Sequence, residues 1–397
     1  MKILHVITAL NYGGAEAMLS KLVAQHRITP GIQETVVLSL RPPGPVGKAM
    51  IADGILVESL DLRHFWQLPH AFGALAAAAR RHQPDIVQGW MYHGNIAATA
   101  AVSVSSGTPP LIWNVRHSLH DIGREKLSTQ AVIGLGAKLS RRPHAIIYNS
   151  SAAVGQHIER GYDPSKAVVI ANGFDHHRFR PDDTDRTVRQ RLCALCGISP
   201  TSIVVALVAR RHPMKDHETA IKAAGLARQM GHDVHLILAG DGTDRLPARL
   251  LRTCEQWLPA NRLSLLGDRR DVAEWLPGCD IVLLSSAWGE GFPNILGEAM
   301  ASGVACVTTN VGDSSTIIGD SGICVPIGDS TAMATAIAEL SAMGPEGRRH
   351  IGARGPARVE AEYSLPVIAA RYVDLYRNAL VSSHEHPLPR QAQPCAE

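Results

Sequence analysis

The chain opens with the apolar run KILHVI at residues 2–7, which leads through the loop NYGGAE at residues 11–16 into a helix-like stretch at residues 15–27. A short apolar strand that turns through glycines into a helix is the opening unit of a parallel α/β sheet. Glycines let backbone amides approach a phosphate closely, and the helix N-terminus adds partial positive charge. The spacing is not Gly-x-Gly-x-x-Gly, so the loop does not indicate a dinucleotide site, and a tight turn without a ligand is an equal alternative.

The same alternation continues along the sequence. We predict strands at residues 2–8, 34–39, 55–58, 85–88, 110–115, 144–148, 167–170, 202–209, 234–239, 263–266, 280–284, 304–308 and 322–325. Helical patterns lie between several of them, for example at residues 70–82 and 150–160. Short apolar strands that alternate with helices predict an α/β fold with two doubly wound parallel sheets, whose ligands bind beyond the carboxyl ends of the strands.

The length of 397 residues is typical of two domains. The pattern restarts after a connector rich in Asn, Gly, Asp and His, so we place an N-terminal Rossmann-like domain at residues 1–175 and a C-terminal one at residues 176–362. Residues 363–380 are predicted to form a helix that returns to the first domain. Residues 381–397 contain three prolines and are predicted to be a disordered tail.

Composition narrows the class of protein. Hydrophobic residues make up 45% and charged residues 19%, which is enough for a core. The sequence has no run of 18 or more apolar residues, so no membrane span is predicted. The first apolar run is too short for a signal peptide. Seven scattered cysteines suit a reducing compartment, so we expect a cytoplasmic protein.

The net charge of +3 divides unevenly along the chain. Residues 1–181 hold 18 Lys and Arg against 11 Asp and Glu, whereas residues 182–397 hold 21 against 25. A basic first half favours anionic substrates or an anionic membrane surface as partners.

Basic residues follow the first strand of the second half, in the run RRHPMK at residues 210–215. Arg210 and Lys215 place cations at the end of a strand and just before a helix. Arginine binds phosphate through a planar fork, while lysine supplies a point charge. A diphosphate leaving group needs this neutralisation, although a solvated basic loop is the alternative.

The most informative segment is EGFPNILGE at residues 290–298, which also follows a predicted strand. Pro293 fits the first turn of a helix, which leaves Glu290 in the loop and Glu298 inside the helix. Two carboxylates that reach one cleft would accept hydrogen bonds from hydroxyl pairs of two sugars, and the amides at the helix start would bind as well. An acidic helix N-terminus explains Glu298 but not the loop.

Other motifs are weighed against simpler interpretations. His117 follows a predicted strand and would reach a sugar hydroxyl, an interpretation that the neighbouring Arg116 favours over an exposed histidine. Cys193 and Cys196 have the CxxC spacing, but no second pair or histidine cluster accompanies them, so a chance arrangement on a helix is preferred. No metal site is expected.

Together these segments resemble the retaining glycosyltransferases of the GT-B architecture, in the bacterial glycan-assembly group with a Glu-x7-Glu motif (glycosyl transferases group 1, family 4). The resemblance runs from the Gly-Gly loop to about residue 380. It rests on an ordered set of motifs: Glu290 with Glu298, Arg210 with Lys215, Asn172-Gly173-Phe174-Asp175 with Phe179 and Pro181, and the stretch at residues 298–304. Gly303-Val304-Ala305 departs from the family's Gly-x-Pro, which should alter local rigidity rather than chemistry.

The resemblance implies a role for each matching residue. The implied donor site comprises Gly13, Gly14, Arg210, Lys215, Arg269, Asp271, Val272, Glu290, Gly291, Phe292, Pro293, Asn294 and Glu298. Within it Gly14, Arg210 and Lys215 would bind the diphosphate. Glu298 would hold the ribose and Glu290 the transferred sugar. The base would lie near residues 269–272.

Catalytic roles would fall to His117, Glu290, Arg210 and Lys215, with His117 on the outer hydroxyls of the sugar. Acceptor contacts are assigned to Arg116, His93 and Asn95. Transfer would retain configuration by front-face attack, with the leaving phosphate helping to deprotonate the acceptor. No cofactor and no metal are expected, because cations and helix N-termini stabilise the leaving diphosphate.

The partners implied are a nucleotide sugar, with uridine as the first expectation for the base, and a saccharide or polyprenyl-linked acceptor. Capsule, exopolysaccharide or lipopolysaccharide assembly is the expected setting, and no nucleic acid is expected. The apolar segment Thr129–Leu139 beside several cations suggests peripheral contact with an anionic membrane, although a packed helix with a solvated basic end explains it equally. Two alternatives stay open: a nucleotide-sugar epimerase of the same fold, and a non-catalytic nucleotide-binding partner protein.

Overall fold

The computed structural model describes residues 1–62, 68–103, 108–120, 122–182 and 186–385. Two wholly parallel sheets form its framework. The first sheet has the order β3-β2-β1-β4-β5-β6-β7. Its strands are β1 (Lys2–Ile7), β2 (Glu34–Ser39), β3 (Leu56–Ser59), β4 (Ile86–Trp90), β5 (Leu111–Val115), β6 (Ala145–Tyr148) and β7 (Ala167–Val169).

The second sheet has the order β10-β9-β8-β11-β12-β13. Its strands are β8 (Ile203–Val208), β9 (Val234–Ala239), β10 (Leu263–Gly267), β11 (Ile281–Leu284), β12 (Ala305–Thr309) and β13 (Gly322–Val325). Every neighbouring pair in both sheets runs parallel. The predicted α/β fold with two doubly wound, Rossmann-like sheets is therefore confirmed, and each predicted strand is present within two residues of its predicted ends.

Helices cover both sheets. Those that follow the strands of the first sheet are α1 (Gly14–His26), α2 (Pro45–Ala52), α3 (Leu68–His82), α4 (Met91–Ser103), α5 (Leu127–Leu139) and α6 (Ser151–Ile158). Those of the second half are α7 (Thr187–Cys196), α8 (His217–Gln229), α9 (Ala248–Trp257), α10 (Val272–Trp275), α11 (Asn294–Ala301), α12 (Ser314–Ile318), α13 (Ser330–Ala342), α14 (Gly344–Gly352), α15 (Arg354–Arg358) and α16 (Leu365–Glu385).

Coverage on both faces explains why the central strands are continuous apolar runs. Strands β4, β5, β9, β11 and β12 are buried at every residue. Such strands cannot alternate apolar and polar residues, because neither face meets water.

Polar residues in the first sheet mark where α16 returns to it. The Tyr376 hydroxyl donates to Gln88 on β4, and the Asn114 amide of β5 donates to the Tyr372 hydroxyl at 2.8 Å. The Trp90 and Tyr372 rings stack with centroids 6.5 Å apart. The last helix therefore packs on the first sheet although its sequence follows the second.

The end of α16 differs from the predicted tail. Residues 381–385, predicted to be disordered, form its last turn, while residues 386–397 lie outside the described part of the chain. The first residue that cannot continue a helix after Leu365–Glu385 is Pro387, so nothing in the sequence ends the helix at residue 381. Among the described residues, no helix has both the length and the apolar composition that a membrane crossing requires.

Candidate active site

A cavity of about 500 Å³ lies between the carboxyl ends of the two sheets. Its walls come from the loop before α1, the end of β5, the end of β8 and the loop between β11 and α11. The residues predicted from the sequence that line it are Gly13, Gly14, Arg116, Arg210, Lys215, Glu290, Gly291, Phe292, Pro293, Asn294 and Glu298. The cavity therefore occupies the place where doubly wound sheets bind their ligands.

Two helix N-termini from different sheets meet at this cavity. Gly14 begins α1, and a Cβ atom placed on it would lie 4.0 Å from Nδ2 of Asn294, the first residue of α11. The first N–H groups of a helix have no partner within the helix, and the helix dipole adds partial positive charge there. Both ends favour an anionic ligand.

Lys215 and Glu290 form an ion pair inside the cavity, where the Lys215 ammonium donates to Oε1 of the carboxylate. Ser286 donates to the same oxygen at 2.7 Å. The two charged side chains are only 17% and 9% exposed. Since both contacts use Oε1, the arrangement fixes the carboxylate and leaves Oε2 to accept from a ligand.

Glu298 lies one turn into α11 and is partly buried. Burial raises the pKa of its carboxyl, and the nearby cations Lys21 and Arg178 oppose that rise. Lys21 comes from α1 and Arg178 from the connector, so positive charge from outside the second sheet acts on this carboxylate. Sequence reasoning missed Lys21, because a lysine on an amphipathic helix is usually solvated.

A chain of hydrogen bonds crosses the cleft at Arg116. Its guanidinium donates to the side-chain oxygen of Asn172 at 3.1 Å, of Asn114 at 3.2 Å and of Tyr372 at 2.8 Å. The Asn172 amide in turn donates to Oδ1 of Asn294 at 2.6 Å. Helix α16, strand β5 and the start of α11 are thus tied together beneath the cavity.

Asn149, directly after β6, lines the cavity but carries no sequence motif. The residue is 5% exposed, and among the described residues its Oδ1 atom has no hydrogen-bond donor. A buried acceptor without a donor is costly unless a ligand or water supplies one. The sequence Asn-Ser-Ser is typical of a helix start, and Ser150 does cap α6. Because the cap alone explains this segment, the sequence did not point to Asn149 as a site residue.

The cavity lining does not include the predicted residues His117, His93 and Asn95. His117 donates through Nε2 to the Glu125 carboxylate at 2.9 Å, and its ring packs edge-on against Tyr92. His93 is exposed on α4. The acceptor role predicted for Asn95 is not supported, because Asn95 is buried and its Oδ1 accepts from the backbone of β5 at 3.2 Å.

The segment predicted to hold the base, residues 269–272, does not line the cavity but contacts one of its lining residues. Arg269 donates to Asp271 at 2.7 Å, and neither these two nor Val272 line the cavity. The residue between them, Arg270, donates to the hydroxyl of Tyr12 at 2.5 Å and lies over its ring at 4.9 Å. Tyr12 does line the cavity, so this pair closes one side of it.

Asp313 makes a further contact across the cleft. Its carboxylate, in the loop before α12, accepts from the backbone N–H of Ser151 at 2.7 Å and of Ala152 at 3.1 Å. The second domain therefore caps helix α6 of the first domain across the cleft.

Acidic and histidine side chains bind a metal ion only where several of them lie close together. In the described ranges, no group of three or more His, Cys, Asp and Glu side chains is placed to hold a metal ion.

Two facing Rossmann-like domains with a polar cavity between them are typical of the GT-B fold. Residues 12–178 match the family described as Glycosyltransferase Family 4, and residues 202–343 match the family described as Glycosyl transferases group 1. One match falls on each sheet, and together they take in most of the chain. Each sheet thus matches a glycosyltransferase family, and the chain has the GT-B fold.

Curated relatives carry related names. UDP-Gal:alpha-D-GlcNAc-diphosphoundecaprenol alpha-1,3-galactosyltransferase of Escherichia coli is 28% identical over 158 residues, which are 39% of this chain and 40% of that protein. N-acetyl-alpha-D-glucosaminyl L-malate synthase of Bacillus anthracis is 29% identical over 222 residues, 55% of each chain. The chain thus spans about half the length of these relatives.

Among solved structures, HepE of Anabaena in complex with UDP superimposes with a TM-score of 0.80 at 22% identity. The match covers 95% of this chain and all of that one. At this identity the likeness concerns the fold.

Proposed function

We propose that the protein transfers a sugar, with retention of configuration, from a nucleoside-diphosphate sugar to a glycan or lipid-linked saccharide. One observation carries the proposal: Arg210 and Lys215 of the second domain and the N-termini of α1 and α11 converge on a single cavity. A diphosphate matches this convergence of fixed positive charge. The structural neighbour HepE was solved with UDP, which makes UDP the first ligand to try.

The leaving group is stabilised by charge that is already in place. As the bond between the sugar and the diphosphate breaks, negative charge grows on the β-phosphate, and preorganised cations and amides lower the barrier. Lys215 is held by Glu290 and Ser285, the latter donating to its backbone carbonyl at 2.8 Å. Its ammonium keeps further donors for the phosphate. This set of groups supplies the stabilisation without a metal, so a chelator should leave turnover unchanged.

The transferred sugar would lie between Glu290 and Asn149. Oε2 of Glu290 and the unpartnered Oδ1 of Asn149 are two acceptors for sugar hydroxyls among the residues that line the cavity. Glu298 would accept from the ribose. In this arrangement the acceptor hydroxyl attacks the face that the diphosphate leaves, and its proton passes to the departing phosphate.

The acceptor side of the protein has an exposed apolar and basic surface on α5. Leu127, Ala131 and Leu135 follow each other at four-residue spacing and lie on one exposed face, with the two leucines 82% and 44% exposed. Exposed cations flank this face at Lys126, Lys138, Arg141 and Arg142. Residues 126–142 contain no Asp or Glu, which is the composition of a helix that lies on an anionic membrane.

The α5 face begins close to the cleft. Glu125, which precedes Lys126, contacts His117 directly after β5. A lipid-linked saccharide held at a membrane under α5 would therefore present its sugar near the cavity. The Escherichia coli relative is named for an acceptor of this kind, a diphosphoundecaprenol saccharide. We propose the same class of acceptor for this protein.

Donor binding is tested by thermal unfolding in the presence of a panel of nucleotide sugars. The expected result is a rise in melting temperature with one nucleotide sugar and its nucleoside diphosphate. That sugar is then offered with polyprenyl-diphosphate saccharides, and sugar transfer is followed by mass. Protection by no nucleotide sugar would overturn the proposal, and conversion of the free donor without an acceptor would favour an epimerase.

Membrane contact is tested by flotation with vesicles of anionic and of zwitterionic lipid. The wild-type protein should float with anionic vesicles at low salt, and the double variant Leu127→Ser with Leu135→Ser should not. Leu195→Ser is the matched control, since Leu195 is an exposed leucine on α7. Equal flotation of all three proteins would refute the role of α5.

A further inference from the structure

Arginines that are removed from solvent in this protein have two kinds of partner, charged and neutral. Arg189 and Arg348 are buried in the second domain, and both pair with Asp280, at 2.7 and 3.2 Å. Arg116 is partly buried beneath the cleft, yet within the described ranges no carboxylate lies at ion-pair distance from it. Its acceptors are amide and phenol oxygens of Asn172, Asn114 and Tyr372.

Neutral partners take four of the five N–H groups of Arg116 but leave its charge uncompensated. Burial lowers the pKa of Arg116, and Tyr372 raises it; the guanidinium stays protonated near neutral pH. Removing a charge from water without a counter-charge costs free energy. Since Arg189 shows that this fold can place an aspartate beside a buried guanidinium, the missing counter-charge at Arg116 points to a ligand.

The position of Arg116 defines which part of a ligand it meets. Arg116 lines the cavity from the first domain, opposite Arg210 and Lys215 of the second. Its fork is held by hydrogen bonds to Asn172 and Tyr372, so it is oriented before any ligand arrives. Four of its five N–H groups are already donated to these neutral partners, so one N–H on Nη2 and the uncompensated positive charge remain for a phosphate oxygen.

We propose that Arg116 is the phosphate-binding residue of the first domain. The inference rests on the proposed function, because that function brings phosphorylated substrates into the cavity. Two sources offer the same chemistry: the β-phosphate of the donor, and the diphosphate of a lipid-linked acceptor. The residue differs from Arg210 and Lys215 in that it reaches the phosphate from the first domain.

Calorimetric titration of the full chain separates these sources. Wild type, Arg116→Gln and Arg116→Lys are titrated with UDP and with UMP, and then, with UDP saturating, with farnesyl diphosphate. Arg211→Gln is the control, because Arg211 is an exposed neighbour of Arg210 that donates to the Gly242 carbonyl and does not line the cavity. The control should bind every ligand as wild type does.

Loss of one charge-assisted phosphate contact should weaken binding by about tenfold or more in Arg116→Gln, and by less in Arg116→Lys. Weaker binding of UDP with unchanged UMP assigns the donor β-phosphate. Weaker binding of farnesyl diphosphate with unchanged UDP assigns the acceptor. Unchanged binding of all three ligands, or equal weakening of all three, would overturn the inference, since a structural residue does not distinguish phosphates.

Failure of the proposed function gives a different result. If wild type binds no nucleoside diphosphate, that function fails. Inorganic pyrophosphate then replaces UDP, and its binding to wild type but not to Arg116→Gln would still support the phosphate role of Arg116. Equal binding by both proteins would refute it.

Discussion

At the scale of single residues, the ion pair between Lys215 and Glu290 is the most consequential contact of the site. Lys215→Ala removes a cation from the leaving group and leaves Glu290 without its partner. We expect turnover to fall by about 100-fold or more, the usual cost of losing a group that stabilises transition-state charge. Steady-state rates with a saturating donor measure this effect.

The matched control is Lys222→Ala, because Lys222 pairs with Glu218 at 2.8 Å on the surface of α8. A surface pair of this kind contributes little, so its turnover should stay at the wild-type level. Near-normal turnover of Lys215→Ala would contradict the role assigned to that lysine.

Glu298 links donor binding to pH. Burial raises the pKa of its carboxyl, so Glu298 takes up a proton at a higher pH than an exposed glutamate does. Since the ionised form is the better acceptor for ribose hydroxyls, UDP affinity should fall more steeply on mild acidification in wild type than in Glu298→Gln. Titrations from pH 7.5 to about pH 5 compare the two. Parallel profiles would show that Glu298 does not contact the ligand.

Position after a strand made some site residues predictable. Arg210, Lys215, Glu290 and Glu298 all lie in segments that follow apolar strands, and the structure brings them to one cavity. Asn149 also follows a strand, but its place in the site depends on Gly291, which comes close to it from the second domain. A Cβ atom placed on Gly291 would lie 3.0 Å from Oδ1 of Asn149. Contacts between distant segments leave no periodic signal in the sequence.

At the scale of elements, the docking of α16 on the first sheet depends on neutral histidines. His5 accepts from Trp90 at 3.0 Å and stacks on His26, whose ring meets Tyr376 of α16 edge-on. Burial lowers the pKa of His26 to about 4 and that of His5 well below its usual value. Both rings are therefore neutral in the folded protein at neutral pH.

These lowered pKa values predict acid lability. The unfolded chain binds a proton at His26 near pH 6.5, whereas the folded chain does not until about pH 4. The free energy of unfolding should thus be highest above pH 6.5 and should decline as the pH falls from 6.5 towards 4. Urea unfolding at several pH values measures it, and His26→Gln should flatten the decline. Constant stability between pH 7 and pH 5 would contradict this.

Periodicity located the strands and helices well, because parallel sheets leave continuous apolar runs. It did not locate the end of α16, where residues 381–385 continue the helix ahead of Pro387. Periodicity also did not predict the packing of α16 on β4 and β5, because this packing depends on single polar residues such as Gln88 inside apolar strands.

At the scale of the whole molecule, a substitution of Asp313 is the simplest test of what keeps the cleft between the domains closed. Its carboxylate caps α6 across the cleft, so Asp313→Ala should shift the protein towards an open form. We expect a larger radius of gyration by solution scattering, which decreases when UDP is added, and a higher KM for the donor.

Asp329→Ala is the matched control for this variant. Asp329 caps α13 within its own domain by accepting from Ala332 at 2.8 Å, so its loss should affect stability but not the scattering curve. Identical scattering of Asp313→Ala and wild type, with and without UDP, would show that the contact does not hold the cleft.

The central claim is that groups from both domains bind one diphosphate. A crystal structure of the protein with its nucleoside-diphosphate sugar tests it most directly. We expect the diphosphate to contact the Arg210 and Lys215 side chains and the Gly14 amide at once. A diphosphate bound to one domain alone, with the Gly14 loop out of reach in a closed cleft, would contradict it.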